Sequence, residues 1–257
     1  MQPPSILRTT HFVNRSVISA FAQGCGGEVL DIEEAVQIKP SRVATYGILR
    51  GTSALIKSAK EFWYIDRGYF GERNGENAYF RITKNHFIHK GDGDHDWNRF
   101  QKFNKKLKPW RRGGRNIVIV PPSKPSAAHL GISEWLTNTL KEIIENTDRD
   151  IVISRKKNNL VKSIYSPLES HHQVQHSDGV LGEVLSNAWV LITDHSNAMI
   201  DALIYGVPII CTNNNRKIGS IKNIEYPILE RDFLKNLAYN QWTLKEMKTG
   251  KAWGEVK

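Results

Sequence analysis

Cysteine is scarce in this chain: Cys25 and Cys211 are the only two in 257 residues. Two thiols exclude a disulfide framework and a cysteine-rich zinc site, and they read as those of a reduced, cytoplasmic protein. Long apolar runs are missing too, and none approaches the ~18 residues a membrane span needs. The N-terminus, Met1-Gln-Pro-Pro-Ser-Ile-Leu-Arg8, lacks the apolar core of a signal peptide. The sequon Asn14-Arg15-Ser16 is accordingly read as accidental. Internal repeats and low-complexity tracts are absent. At 40% hydrophobic and 24% charged residues, wholesale disorder is excluded and a sizeable core is affordable.

Acidic residues are outnumbered, 26 against 36 Lys plus Arg, which leaves a net charge of +10. Such a balance favours a polyanionic partner or an anionic substrate. The excess is concentrated. Arg99, Lys102, Lys105, Lys106, Lys108, Arg111, Arg112 and Arg115 run without an acid among them, interleaved with Phe100, Phe103 and Trp110. The run is either a solvated linker or a nucleic-acid track, and in the second case Lys105, Lys106, Lys108, Trp110, Arg111, Arg112 and Arg115 carry it.

Before this stretch the pattern is mixed. Residues 13–23 read as a helix stopped at Gly24-Cys-Gly-Gly27, followed by a short strand at 28–32. A loop over Thr45–Thr52 leads into a helix at 53–60. Phe62-Trp-Tyr-Ile-Asp66 reads as a buried strand ending in a carboxylate, and Tyr79–Thr83 as another strand. The second half is more regular. Strands are expected at 116–120, 150–154, 189–193 and 208–211, with helices at 131–146, 180–187 and 197–205 between them. That alternation implies βαβ units and a parallel sheet covered on both faces. The tail, 232–248, reads as one amphipathic helix.

Ligands of open parallel sheets bind beyond the carboxyl ends of the strands. Three such ends are polar here: Ser123-Lys124, Arg155-Lys156-Lys157 and Asp194-His195-Ser196-Asn197. The last reads either as a plain helix cap or as an anion site whose open amides face a phosphate.

The segment Asn187-Ala-Trp-Val-Leu-Ile-Thr-Asp-His-Ser-Asn-Ala-Met-Ile-Asp-Ala-Leu-Ile-Tyr-Gly-Val-Pro-Ile-Ile210 resembles the nucleotide-sugar half of GT-B-fold glycosyltransferases. The whole chain further resembles small glycosyltransferases of that fold encoded by bacteriophages, some linked to modified DNA bases. The matching segments are Tyr46-Gly-Ile-Leu-Arg-Gly51, Tyr64-Ile-Asp-Arg-Gly-Tyr-Phe70, Tyr79-Phe-Arg-Ile-Thr83 and Leu237–Trp253. The resemblance implies two Rossmann-like α/β domains facing across a cleft: an acceptor-side domain over 1–112 with the basic linker 99–115, and a nucleotide-sugar domain over 113–232. It also implies a C-terminal helix, 233–257, that returns to the first domain. Ser123, His195, Ser196 and Asn197 then hold the donor, and Arg155 with Lys156 neutralises the leaving phosphates. Arg50 and Tyr69 fall beside the cleft. Asp201 sits one turn into its helix, where it is read as structural. The Glu-x7-Glu pattern of many retaining members is missing, so the stereochemical course stays open.

An acceptor hydroxyl needs a base, and Asp66, at the end of its strand beside Gly68 and Tyr69, is the candidate. His86, His89 and His95 are its rivals. Asp92-Gly-Asp94-His-Asp96 is similar to the Asp-x-Asp metal motif of the other major glycosyltransferase fold. It also opens like a calcium loop, but Phe103 stands where that loop needs a carboxylate. A solvated acidic loop is the expectation, with no metal or other cofactor.

Two functions of different class follow. One is a metal-independent glycosyltransferase moving a sugar from a nucleotide sugar to a hydroxyl: hydroxymethylated pyrimidines in double-stranded phage DNA, within the host cytoplasm, or a surface polysaccharide or teichoic-type acceptor. The other is a nucleic-acid-binding module with a nucleotide-like pocket and no turnover.

Overall fold

Strand β1 (Ser5–Arg8) starts the chain, followed by α1 (Phe12–Cys25), β2 (Val29–Asp31), α2 (Ile32–Ile38), β3 (Arg42–Tyr46), α3 (Thr52–Ser58), β4 (Glu61–Arg67), β5 (Tyr79–Lys84) and the single turn α4 (Asn98–Gln101). The computed structural model describes residues 2–9, 12–48, 51–72, 74–155 and 163–257. By internal contacts the chain divides into two units, residues 1–104 with 233–257, and residues 105–232. Strands β1 to β4 are parallel in the order β2-β1-β3-β4, and β5 runs antiparallel beside β4. Alternation along the strands sends Ile6, Ala44, Trp63 and Ile65 to one face, under Val17, Ile18 and Phe21 of α1. Leu7 and Val43 go to the other face, with Leu30, Ala35 and Leu55. Both faces are therefore apolar, as parallel strands require. The expected loop at Thr45–Thr52 begins later than the sequence suggested, because Thr45 and Tyr46 pair with Tyr64 and Ile65.

The second unit carries β6 (Asn116–Val120), α5 (Lys124–Leu130), α6 (Trp135–Ile144), β7 (Ile151–Ser154), β8 (Val174–Ser177), α7 (Leu181–Leu185), β9 (Ala188–Thr193), α8 (Ala198–Ile204) and β10 (Ile209–Cys211). All five strands are parallel, in the order β10-β9-β6-β7-β8. The order reverses between β6 and β9. Ile117, Ile119, Ile151, Ile153, Val190 and Ile192 pack on Leu136, Leu140 and Ile143 of α6. The helix expected over 131–146 starts later, as α6, and is the second of two, with α5 before it. Ser123 caps the first, accepting from the Ser126 N–H at 3.3 Å, and Gly131 ends it at φ 71°. A left-handed residue of that kind is a helix stop.

The tail is also corrected. In place of one helix it forms α9 (Phe233–Tyr239), β11 (Gln241–Thr243), α10 (Leu244–Lys248) and α11 (Lys251–Val256). Strand β11 pairs antiparallel with β5 at Trp242↔Phe80, which buries the Trp242 ring in the first core. Thr243 then starts α10 through a reciprocal capping box with Glu246. Thr243→Ala removes that cap and is expected to cost about 1 kcal/mol, read as a lowered urea midpoint at unchanged slope.

Candidate active site

The carboxyl ends of β6 and β9 are neighbours, with Val120 opposite Thr193. Thr193 fastens them, its hydroxyl donating to the Val120 carbonyl at 2.8 Å. An open α/β sheet forms its ligand crevice at the point where strand order reverses. The residues that leave β6 and β9 are Pro121-Pro122-Ser123 and Asp194-His195-Ser196-Asn197, so two of the three polar ends picked from sequence leave the sheet at that point.

Asp194 is the anchor of this end. Its carboxylate is buried and accepts from His195 Nδ1 at 2.7 Å and from Asn213 Nδ2 at 2.9 Å. Thr212 donates to the second oxygen at 3.5 Å and itself accepts from Trp135 Nε1 at 2.7 Å. Burial alone would raise the Asp194 pKa, but the hydrogen bonds from His195 and Asn213 outweigh it and hold the carboxyl below its ordinary range. The backbone is held as well, because the Asp194 carbonyl accepts from Cys211 Sγ at 3.1 Å.

The amides read from sequence as open to a phosphate are engaged. Ala198 N–H donates to Ser196 Oγ, Met199 N–H to the Ser196 carbonyl and Ile200 N–H to the Asn197 carbonyl. Ser196, not Asn197, supplies the capping side chain. The His195 side chain is half-buried, with Nδ1 on the Asp194 carboxylate.

Arg155, at the end of β7, is not a free cation. It is buried, and its two Nη atoms donate to the Glu169 carboxylate at 3.0 and 2.9 Å and to the Ile164 carbonyl at 2.9 Å. The Tyr165 ring lies 4.6 Å from its guanidinium. Its charge is therefore neutralised inside the fold. Lys156 and Arg50 lie outside the described residues. Ser123 is half-buried, its hydroxyl bonded to Ser126 Oγ at 2.9 Å.

In the first unit, Asp66 occupies the last but one position of β4, directly across from Arg81 of β5. One carboxylate oxygen accepts from Tyr64 Oη at 2.8 Å and from Arg81 Nη2 at 3.0 Å. The other accepts from the Arg67 N–H at 2.7 Å. The side chain keeps a third of its surface exposed, whereas Arg81 is buried. Burial opposes the charge on Arg81 most strongly, but Asp66 together with Tyr69 and Tyr64 outweighs it and raises the pKa. Burial and the Asp66 charge together push the Tyr64 phenol well above its ordinary value, so it stays a donor. Tyr69 is buried beneath this group, 5.2 Å from the Arg81 guanidinium and accepting from the His89 N–H.

His86 and His89 stand edge to face at 6.2 Å, and His95 stacks on Tyr239 at 4.2 Å. Asp96 accepts from Tyr239 Oη at 2.6 Å and from Asn98. Among the described residues no group of three or more His, Cys, Asp or Glu is placed to hold a metal ion.

The basic run contributes to packing at some positions and not at others. Arg99 donates to Glu246 and to the Gln241 carbonyl. Arg111 donates to the Leu185 carbonyl at 2.8 Å, and Trp110 lies 4.5 Å from the Arg231 guanidinium. Lys108 is exposed with its Nζ 4.3 Å from the centre of the Tyr205 ring, and Lys102, Lys105, Lys106, Arg112 and Arg115 are exposed.

Sequence reasoning missed Thr212, Asn213 and Trp135 at the first cluster, and Tyr64 and Arg81 as partners of Asp66. The polar run Thr212–Asn215 directly after β10 was the available signal.

Two parallel-rich sheets, the second in the doubly wound order, define a mixed α/β fold. No family model and no curated protein matches the sequence. Among solved structures, the chain is similar to the beta Kdo 2,4 transferase of Thermosulfurimonas dismutans KpsC, at 12% identity and a TM-score of 0.55 over 93% of this chain and 90% of that one. It is similar also to the beta Kdo 2,7 transferase of the same KpsC, at 14% identity and a TM-score of 0.54 over 98% and 99%. At these identities the fold is what is shared.

Proposed function

We propose that this protein is a glycosyltransferase that moves a sugar from a nucleotide-sugar donor to a hydroxyl acceptor, without a metal or other cofactor. The observation that carries the reading is the pair of polar strand ends, after β6 and β9, at the strand-order reversal, in a chain similar in fold along nearly its whole length to two Kdo transferases. In this reading Ser123, His195, Ser196 and Asn197 hold the donor phosphate. Asp66 takes the proton of the acceptor hydroxyl as its oxygen attacks the anomeric carbon and the phosphate departs. Arg155 shapes the donor side through its bond to the Ile164 carbonyl.

The acceptor we propose is hydroxymethylated pyrimidine in phage DNA, on the strength of the exposed cations between Lys105 and Arg115. A surface-polysaccharide acceptor is the second reading, favoured by the neighbours, both named as Kdo transferases. Incubation with a panel of sugar nucleotides, CMP-Kdo included, together with modified DNA or acidic polysaccharide, decides between them by the mass of the digested products. Donor binding without any product would leave a binding module.

DNA contact has its own signature. If Lys105, Lys106, Lys108 and Arg112 each neutralise a phosphate, the log–log salt slope of duplex binding is about −0.9 per contact, or near −3.6 for four. Replacing the four by Ala flattens that slope and leaves donor affinity unchanged. Arg111 is left in place because it supports the Leu185 carbonyl. A variant with the parental slope and affinity removes DNA as the acceptor.

A further inference from the structure

The proposed donor site contains one group whose geometry goes beyond phosphate holding in general. His195 follows β9 directly, and its side chain is 19% exposed against 7% for Asp194. Nδ1 is committed to the Asp194 carboxylate at 2.7 Å. No described residue bonds Nε2. The carboxylate has no freedom to turn away, since Asn213 and Thr212 bond its two oxygens and Trp135 fixes Thr212 in turn. Its backbone is tied on one side by Thr193, the residue before it, and on the other by Cys211.

We infer that Asp194 is a positioning residue that keeps Nδ1–H of His195 turned inward and so presents Nε2 to the phosphate of a bound nucleotide. The inference rests on the nucleotide-sugar reading above. Two features point to an anionic ligand. A carboxylate fixed against Nδ1 selects which ring nitrogen is left to face the crevice. The same carboxylate, buried on the far side of the ring, supplies a countercharge to positive charge the ring shares with a phosphate. When the bond between anomeric carbon and phosphate oxygen breaks, the electron pair stays on that oxygen. The Nε2–H hydrogen bond stabilises the charge there, while the anomeric carbon bonds to the acceptor oxygen and the acceptor proton passes to the carboxylate base. Asp194 touches no substrate. Its effect runs through the ring it orients.

The test reads the ring itself. Imidazole nitrogen–proton correlations are recorded on the full chain labelled with 15N-histidine, with His195→Gln assigning the signal among nine histidines. CMP, UDP and dTDP are added in turn, with calorimetry in parallel. The expected result is a protonated Nδ1 in the free protein and a shift of Nε2 when a nucleotide binds. Asp194→Asn keeps the side-chain shape but loses the charge. It should lower nucleotide affinity about tenfold or more and abolish the preference for protonated Nδ1, with Ser196→Ala leaving that preference intact. If Asp194→Asn does not fold, His195→Gln, at a half-buried position, carries the affinity comparison. A neutral ring protonated at Nε2, or ring signals that stay put while calorimetry shows a nucleotide bound, overturns this inference alone. Absence of binding by every nucleotide overturns the nucleotide reading and the inference with it.

Discussion

Arg155→Ala is expected to destabilise the second unit by about 3–5 kcal/mol, the cost of removing one partner from a buried ion pair. The side chains of Arg155 and Glu169 are 3% and 11% exposed, so solvent does little to screen the loss. Both Glu169 oxygens bond Arg155, and one also accepts the Ser166 N–H in the capping box of residues 166–170. Truncation leaves the carboxylate with the Ser166 N–H and, at 3.7 Å, His176 Nδ1, and it frees the Ile164 carbonyl as well. The sequence reading set Arg155 on the leaving phosphates, a role in which the same substitution would weaken donor binding and spare the fold. The geometry reverses that order: stability falls first. Urea titration measures it, and a second variant separates the causes. Arg155→Met with Glu169→Gln removes both charges together, so most of the stability should return. Donor affinity in that double variant then reports whether the guanidinium acts on the ligand at all. A single Arg155→Ala variant with the parental midpoint would remove the buried pair from this account.

What was legible in the sequence follows from where the physics is local. β6, β7 and β9 are continuous apolar runs with breakers or polar ends, and a strand buried on both faces has no other way to read. β8 was invisible because it is an edge strand, Val174-Gln-His-Ser177, with its two middle residues exposed. β11, three residues long, was hidden inside the helical pattern read over 232–248, and only pairing with β5 reveals it. The polar strand ends were found for the same local reason, since a polar run directly after an apolar strand needs no partner to be noticed. Their partners were not found. Asn213 reaches Asp194 across 19 residues, Glu169 reaches Arg155 across 14, and Arg81 meets Asp66 only through the β4–β5 register. Motif reading located groups and could not say which were already neutralised. That distinction turned Arg155 from a ligand-facing cation into an internal one.

Asp66→Asn is expected to lower turnover at least ~10²-fold with donor affinity nearly unchanged, the pattern of a base used in the transition state. The carboxylate suits that task because it is held without being sealed. Tyr64 and Arg81 bond one oxygen, the Arg67 amide bonds the other, and a third of the side chain stays exposed to meet an acceptor. An acceptor hydroxyl within hydrogen-bond reach of the exposed side would lose its proton to a group whose position costs nothing further to fix. Asn keeps the shape and cannot take the proton. It also leaves Arg81 without its countercharge, so a loss of activity alone is ambiguous, and two measurements resolve it. Tyr64→Phe removes one hydrogen bond and keeps the carboxylate; it should reduce turnover by much less and leave its pH profile in place. Urea titration of Asp66→Asn should show a folded protein at assay conditions. Nucleotide release from the donor identified by the product screen gives the rates. Near-parental turnover in a folded Asp66→Asn variant would take the base role from Asp66 and pass it to His86 or His89, which lie beyond the end of β5 in the same unit.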